Sequence, residues 1–344
     1  MTGGVALLRA ATAACALAAG ASLQSPPDLD REVGDVLTRS LQFTAAELTE
    51  LQRGRPVKHG LEARAGTEFG VAGGIRIAAT RTAFLDAARD IVTFKSGPEV
   101  LQIGRFGSPP TLEDLATLRV ERVDFDASAC RVSDCDIRLP ADVIRRIPIE
   151  LDVKGRRAQE ATAAWFRRVL FADVQAYTSG GPGRFAQYDD GSRPIRPIDD
   201  FEAVLAATPA VGMLVPGLPE HLSRFPASRV PGSEDFLYWS KEAFGPSPFI
   251  SVTHVTIVCP AARTCVMTTK DVYSSRYIDA SLAVAAVTEA AAGDAIYVIY
   301  ANRSRVNALR GVLSGLRKSM VERRARGALE QNLIRLKTRL ERRR

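Results

Sequence analysis

The hydrophobic period of the chain changes several times, and each change marks an element. Over residues 28–53, Leu29, Val33, Val36 and Leu37 recur at helical spacing, and Thr44 followed by Glu47 has the form of a capping box. Two short helices are predicted there. Val57, His59, Leu61 and Ala63 then alternate, as do Phe69, Val71, Gly73, Ile75 and Ile77, so two strands form a hairpin around Ala65-Gly66. Gly70, Gly73 and Gly74 point to a bend or a close backbone approach in the second strand. Thr80 or Thr82 can cap the next helix, whose stripe is Phe84, Leu85, Ala88, Ile91 and Val92 and whose end is Ser96-Gly97-Pro98. Val100 to Phe106 reads as another strand, followed by the loop Gly107-Ser108-Pro109-Pro110.

Residues 111–235 have a different texture, read as a helical insertion. A short helix fits 111–118, a Pro140-started helix runs to about Arg146, and a long helix near 157–177 places Trp165, Val169, Ala172 and Ala176 on one side. Gly180 to Gly183 and Asp189-Asp190-Gly191 read as turns, a further helix fits 199–207, and Pro209, Pro216, Pro219, Pro226 and Pro231 punctuate the rest. From Asp235 onward come five strands, at roughly 236–242, 249–259, 263–275, 277–288 and 295–302. Their short connections predict sequential antiparallel neighbours. A helix from about Val306 carries Leu309, Leu313, Leu316 and Met320, then Leu329, Leu333, Leu336 and Leu340, on one stripe.

A strand pair, a helix directly after it, an antiparallel meander and a long last helix follow one another in a particular order. Gly74-Ile75-Arg76-Ile77-Ala78-Ala79, then Phe84-Leu85-Asp86-Ala87-Ala88-Arg89-Asp90 and Phe94, are similar to an opening strand, its helix and the aromatic after it. Ala295 to Tyr300 and the helix from Val306 match the last strand and gripping helix. In this order the chain resembles the helix-grip fold of START lipid-transfer domains and polyketide-cyclase proteins, over roughly 57–106 and 236–330. The resemblance implies a cavity between sheet and last helix that takes an apolar ligand. The expected fold class is α+β, a helix-grip-like antiparallel sheet wrapped on a long C-terminal helix. The chain divides into 1–21, 28–110, the insertion 111–235, and a meander with basic helix at 236–344.

The first 21 residues read as a cleavable leader, with Arg9, the uncharged Ala/Leu-rich stretch Ala10 to Ala21, and the small-x-small ending Ala19-Gly20-Ala21. Cys15 leaves with that leader. Cys130, Cys135, Cys259 and Cys265 remain, in two close pairs, each bracketing a turn. Local disulfides suit this pattern; four or five intervening residues fit neither zinc knuckles nor a C-x-x-C redox pair. A periplasmic or secreted location follows. Residues 303–344 carry 14 Lys or Arg against three Glu, although the whole chain is only +7, so the basicity belongs to the tail. That tail reads either as a solvated helix face or as a surface for anionic membrane. Export and the lack of aromatic interleaving speak against nucleic acid.

No P-loop, H-E-x-x-H, G-x-S-x-G or S-x-x-K motif occurs, and His59, His221 and His254 lie far apart. No cofactor is expected. His254, mid-strand, is either a ligand or acid/base group or a satisfied sheet histidine. Arg276, Tyr277 and Asp279 begin one strand while Asn302, Arg303 and Arg305 end the next, so Asp279 is expected near one of these arginines. Such groups either lock the sheet end or hold a ligand's polar head at a cavity mouth. The function expected is a carrier for a hydrophobic, lipid-like molecule, oriented by His254, Arg276, Asp279, Asn302 and Arg305. The alternatives are a cyclase- or hydrolase-type enzyme using His254 or Asp279, and a structural envelope protein.

Overall fold

The computed structural model of the chain describes residue 29 and residues 31–181, 187–191, 193–243, 246–306, 309 and 314–342, with side chains in the last helix from Lys318 onward. The leader with Cys15, Pro182, Gly183, Leu313 and the side chain of Leu316 lie outside the described residues. The strands are β1 (Val57–Leu61), β2 (Glu68–Ile77), β3 (Val100–Arg105), β4 (Glu234–Glu242), β5 (Phe249–Val258), β6 (Thr264–Ser274), β7 (Ile278–Glu289) and β8 (Ile296–Val306). They form one antiparallel sheet in the order β1-β2-β8-β7-β6-β5-β4-β3. The five strands of the meander are sequential neighbours, as their short links predict. The class is α+β with a helical insertion.

The helices are α1 (Arg31–Asp35), α2 (Ala45–Gln52), α3 (Arg81–Arg89), α4 (Ile91–Lys95), α5 (Ala141–Glu150), α6 (Ala158–Gly180), α7 (Pro197–Ala206), α8 (Ala210–Leu214), α9 (Leu218–Arg224) and α10 (Ser314–Glu341). Thr44 and Glu47 close the capping box of α2, and Thr80 accepts from the Ala83 amide to start α3. The single stripe expected over 84–92 is two helices. Asp90 departs from helical geometry and caps α4 through the Thr93 amide, turning the chain between them. The helix expected at 111–118 is only a 3-10 turn, Leu112–Leu115, with Asp114 bonded back to the amides of Gly107 and Thr111. In α6 the buried face runs through Phe166, Leu170, Val174 and Tyr177 beside Trp165, while Ala172 is exposed. Gly181 ends α6 at φ 70°, and a Cβ there would collide with the Phe225 carbonyl oxygen. The last strand continues to Val306, the expected start of the helix, and α10 is described from Ser314.

Alternation gives the sheet two buried faces. On one, Ile75, Phe236, Val255, Met267, Val287 and Val298 meet Phe84, Ile91, Leu329, Leu333 and Leu340 from α3, α4 and α10. Gly73 lets α10 come close, because a Cβ there would lie 3.0 Å from Leu329 and collide with the Val57 carbonyl oxygen. On the opposite face, Ala72, Val284, Ala286, Tyr297 and Ile299 pack on α1, α2 and α7 to α9. Farther along that face, Leu237, Trp239, Val252 and Val272 pack on Phe125, Trp165, Phe166 and Leu170. Burying each such aromatic side chain contributes about 1.5–3 kcal/mol. The insertion, together with α1 and α2, therefore covers this face of the sheet rather than standing apart from it.

Cys130–Cys135 and Cys259–Cys265 are disulfide-bonded, the second across the β5–β6 hairpin. Among the described residues no helix is long and apolar enough to cross a membrane. Both facts are compatible with an extracytoplasmic protein.

Candidate functional site

Polar side chains gather in two places, one on each face of the sheet. On the α10 face the apolar row gives way, toward the β4–β5 turn, to Tyr238, Thr253, Thr269, Asp271, Ser281, Tyr300 and Asn302. Register places these on one face. Tyr238 pairs with Thr253, Thr253 with Asp271, and Ala283 with both Thr269 and Asn302. Thr269, Asp271, Ser281, Tyr300 and Asn302 stay half-exposed in the middle of strands whose neighbours are sealed. The small Ala283 and Ala285 form the floor between them.

Lys95, the last residue of α4, reaches over this patch toward Glu242, with its Nζ 3.6 Å from Oε1, and keeps 36% of its side chain exposed. The fields of Tyr238 and Glu242, followed by those of Tyr300 and Asp271, hold its ammonium charged more firmly than usual. Burial pushes the Asp271 carboxyl up to about 7, opposed by the Thr253 hydroxyl, which donates to Oδ1 at 3.1 Å, and by Lys95. Burial likewise lifts the Tyr300 phenol to about 12. At the rim, the Asn302 amide donates to Ser281 Oγ at 3.0 Å, and Ser304 Oγ donates to Asn302 Oδ1 at 3.0 Å. This patch offers a cation, a carboxyl poised near neutrality, the half-exposed Tyr300 phenol and several hydroxyls. Such a set can orient a ligand's polar end and move a proton.

The second cluster is sealed. On the insertion face, Asp235 of β4 pairs with Thr256 of β5, and His254 lies one alternation away, opposite Leu237. Asp235 Oδ1 accepts from His254 Nε2 at 3.0 Å and from Thr256 Oγ1 at 2.8 Å, and His221 Nε2 of α9 lies 2.9 Å from the same oxygen. Burial works against the Asp235 charge, but hydrogen bonds from His221 and His254 hold its carboxyl far below the usual range. Burial also lowers the His254 pKa, so the ring is neutral. It donates from Nε2 to Asp235 and accepts at Nδ1 from the Tyr177 hydroxyl, 2.7 Å away. Lys270 lies alongside, donating to the Leu222 carbonyl at 2.7 Å, with its Nζ 3.9 Å from the Phe201 ring centre.

The residues singled out in the sequence are dispersed by the fold. Only Asn302 belongs to this half-exposed patch. His254 faces the insertion, with both ring nitrogens engaged by protein. Asp279 pairs not with Arg303 or Arg305 but with Arg138 of the insertion, at 2.6 Å with both side chains buried. Arg303 turns instead to Glu68 on the neighbouring strand, and Arg305 to Asp200 of α7. Arg276 binds Asp136 and the Asp124 carbonyl. Tyr277, at φ 65° in the β6–β7 turn, accepts from the Ser247 amide.

Lys95, Asp271, Tyr238, Tyr300, Asp235 and Tyr177 were not singled out in the sequence. For Asp235 a signal existed. Folding 234–258 symmetrically about the turn after Glu242 sets Asp235 opposite Thr256 and beside His254. Lys95 and His221 arrive from helices remote in sequence, and no spacing announces them. Comparison with protein-family models, with curated proteins and with solved structures found no match for this chain.

Proposed function

We propose that the chain is an extracytoplasmic binding or carrier protein that holds a small amphipathic molecule against the α10 face of its sheet. The observation carrying this reading is the half-exposed patch at Thr269, Asp271, Ser281, Tyr300 and Asn302, in strands otherwise sealed on both sides. Half-exposed side chains at the middle of a central strand leave room above them, and their polarity suits the polar end of a small ligand. The resemblance to START and polyketide-cyclase helix-grip domains supports the same place for a ligand, between sheet and last helix. Arg323 and Arg324 are exposed on α10, together with Met320, and would meet an anionic membrane that supplies or receives the cargo.

Native mass spectrometry of the gently purified exported protein tests the reading. The expected result is an added mass that denaturation releases, and its loss in Thr269→Trp, whose indole covers the patch. A bare chain that gains nothing from envelope lipid extract would end the carrier reading.

A second reading rests on Asp271. A half-exposed carboxyl raised to about 7 beside Lys95 suits general acid/base chemistry of cyclase or hydrolase type. If the released molecule is turned over, the rate should depend on a group titrating near 7 and vanish in Asp271→Asn. Turnover that survives this substitution would exclude Asp271 as the acid/base.

A further inference from the structure

The sealed cluster on the insertion face has the donor set of a metal centre. We propose that His221 Nε2, His254 Nε2 and Asp235 Oδ1 bind a divalent first-row ion of the zinc type, with Thr256 Oγ1 at the fourth corner. The three ligand atoms lie within 4.8 Å of one another, Asp235 Oδ1 being 2.9 and 3.0 Å from the two nitrogens. Thr256 Oγ1 is 2.8 Å from that oxygen and 3.5 Å from His221 Nε2. Donors about 2.0–2.1 Å from a tetrahedral ion stand roughly 3.3 Å apart, so shifts of a fraction of an ångström to about one ångström would admit it. Two imidazoles with one carboxylate form a borderline donor set, matching zinc rather than calcium or magnesium.

The surrounding contacts set which ring nitrogens face Asp235. His221 Nδ1 lies 2.9 Å from the Ser228 carbonyl, which can only accept, so this nitrogen carries the proton. That leaves Nε2 as the nitrogen turned toward Asp235 Oδ1. The same oxygen is approached by three groups although it has two lone pairs. A single ion at their meeting point satisfies all of them. The outer contacts suit metal-binding histidines, with the Ser228 carbonyl orienting His221 and, once the His254 proton moves from Nε2 to Nδ1, the Tyr177 oxygen accepting it. The two histidine side chains are fully buried and that of Asp235 is 7% exposed, which describes a closed structural site rather than a catalytic one. Its effect would be to staple α9 of the insertion to β4 and β5. This inference does not depend on the carrier reading, since the cluster lies on the other face.

Because the site is closed, loading is tested on refolding. The mature chain is unfolded in denaturant with its disulfides intact, refolded with or without Zn²⁺, dialysed, and assayed for bound metal and Tm. The expected result is one zinc retained per chain and a Tm several degrees above that of the zinc-free preparation. Tyr177→Phe should weaken binding about tenfold, as loss of an outer contact does. Asp235→Asn should retain no zinc and show no Tm difference. A native-like wild-type chain that retains none, or an Asp235→Asn chain that retains as much, overturns the proposal. Should Asp235→Asn fail to fold, Co²⁺ loaded into the wild-type chain decides. Intense visible bands of a tetrahedral nitrogen–oxygen site, bleached by Zn²⁺, support the site, and their absence overturns it.

Discussion

The two faces of the sheet are covered by different chemistry. Against α10 the contact is largely a leucine seam, Leu329, Leu333 and Leu340, which stops short of the half-exposed polar patch. Against the insertion the apolar clusters are stitched by two buried ion pairs, Arg138–Asp279 and Lys241–Asp124, each at 2.6 Å, and by the half-buried pair Arg305–Asp200 at 2.9 Å. A leucine seam tolerates a small slide, because dispersion contacts carry little direction. A buried ion pair does not, since either partner left alone is an uncompensated charge in low dielectric. The insertion face thus relies on buried directional bonds, whereas α10 adds to its leucine seam only exposed or half-buried ones, such as Arg339 to the Thr93 and Phe94 carbonyls and the Ala78 amide to Glu341.

That contrast can be broken at its strongest point first. Asp279→Ala strands the Arg138 guanidinium in the insertion interface and should cost about 3–5 kcal/mol in denaturant unfolding. A loss under about 1 kcal/mol would mean that this face is not held by its ion pairs. On the other face, Leu333→Ala should cost about 2–3 kcal/mol, the low end for a buried leucine, because α10 is partly open to solvent beside it. A cost equal to that of Asp279→Ala would erase the difference between the faces.

The smallest effect depends on pH. Asp271 titrates near 3.8 when unfolded and at about 7 in the fold, so between these values the folded state holds a proton that the unfolded state has released. Its contribution to stability is therefore lost as pH rises through that window. Asp271→Asn should match wild type near pH 4 and exceed it at pH 8 by on the order of 1 kcal/mol, allowing for solvent screening of a half-exposed group. Equal pH profiles would show that Asp271 is no more desolvated than a surface carboxylate.

The meander was legible because each strand from β4 to β8 alternates or is continuously apolar, and each link is too short for anything but a hairpin. The Thr44 capping box and the two local disulfides were legible for the same reason: their partners are close in sequence. The candidate sites were not. Arg276, Asp279 and Arg305 stand out as charges in an apolar stretch, yet the insertion brings Asp136, Arg138 and Asp200 to meet them. Alternation fixes which face a strand residue occupies without saying what covers that face. The polar patch failed to register because Thr269, Ser281 and Tyr300 are ordinary strand residues. Their residue types do not say what the fold leaves above them.

The pairing of β2 with β8, in which Gly73 stands opposite Tyr300, has a kinetic consequence. As the chain emerges from its N-terminus, the β1–β2 hairpin forms early and then waits, one edge unpaired, until almost everything else has been made. Strands β4 to β7 can zip locally in the meantime, but the sheet closes only when residues 296–306 arrive. A product cut short before that point would carry two unsatisfied strand edges, on β2 and β7, and would be expected to aggregate. The same late closure keeps the unfinished chain loose until its C-terminal strand is made.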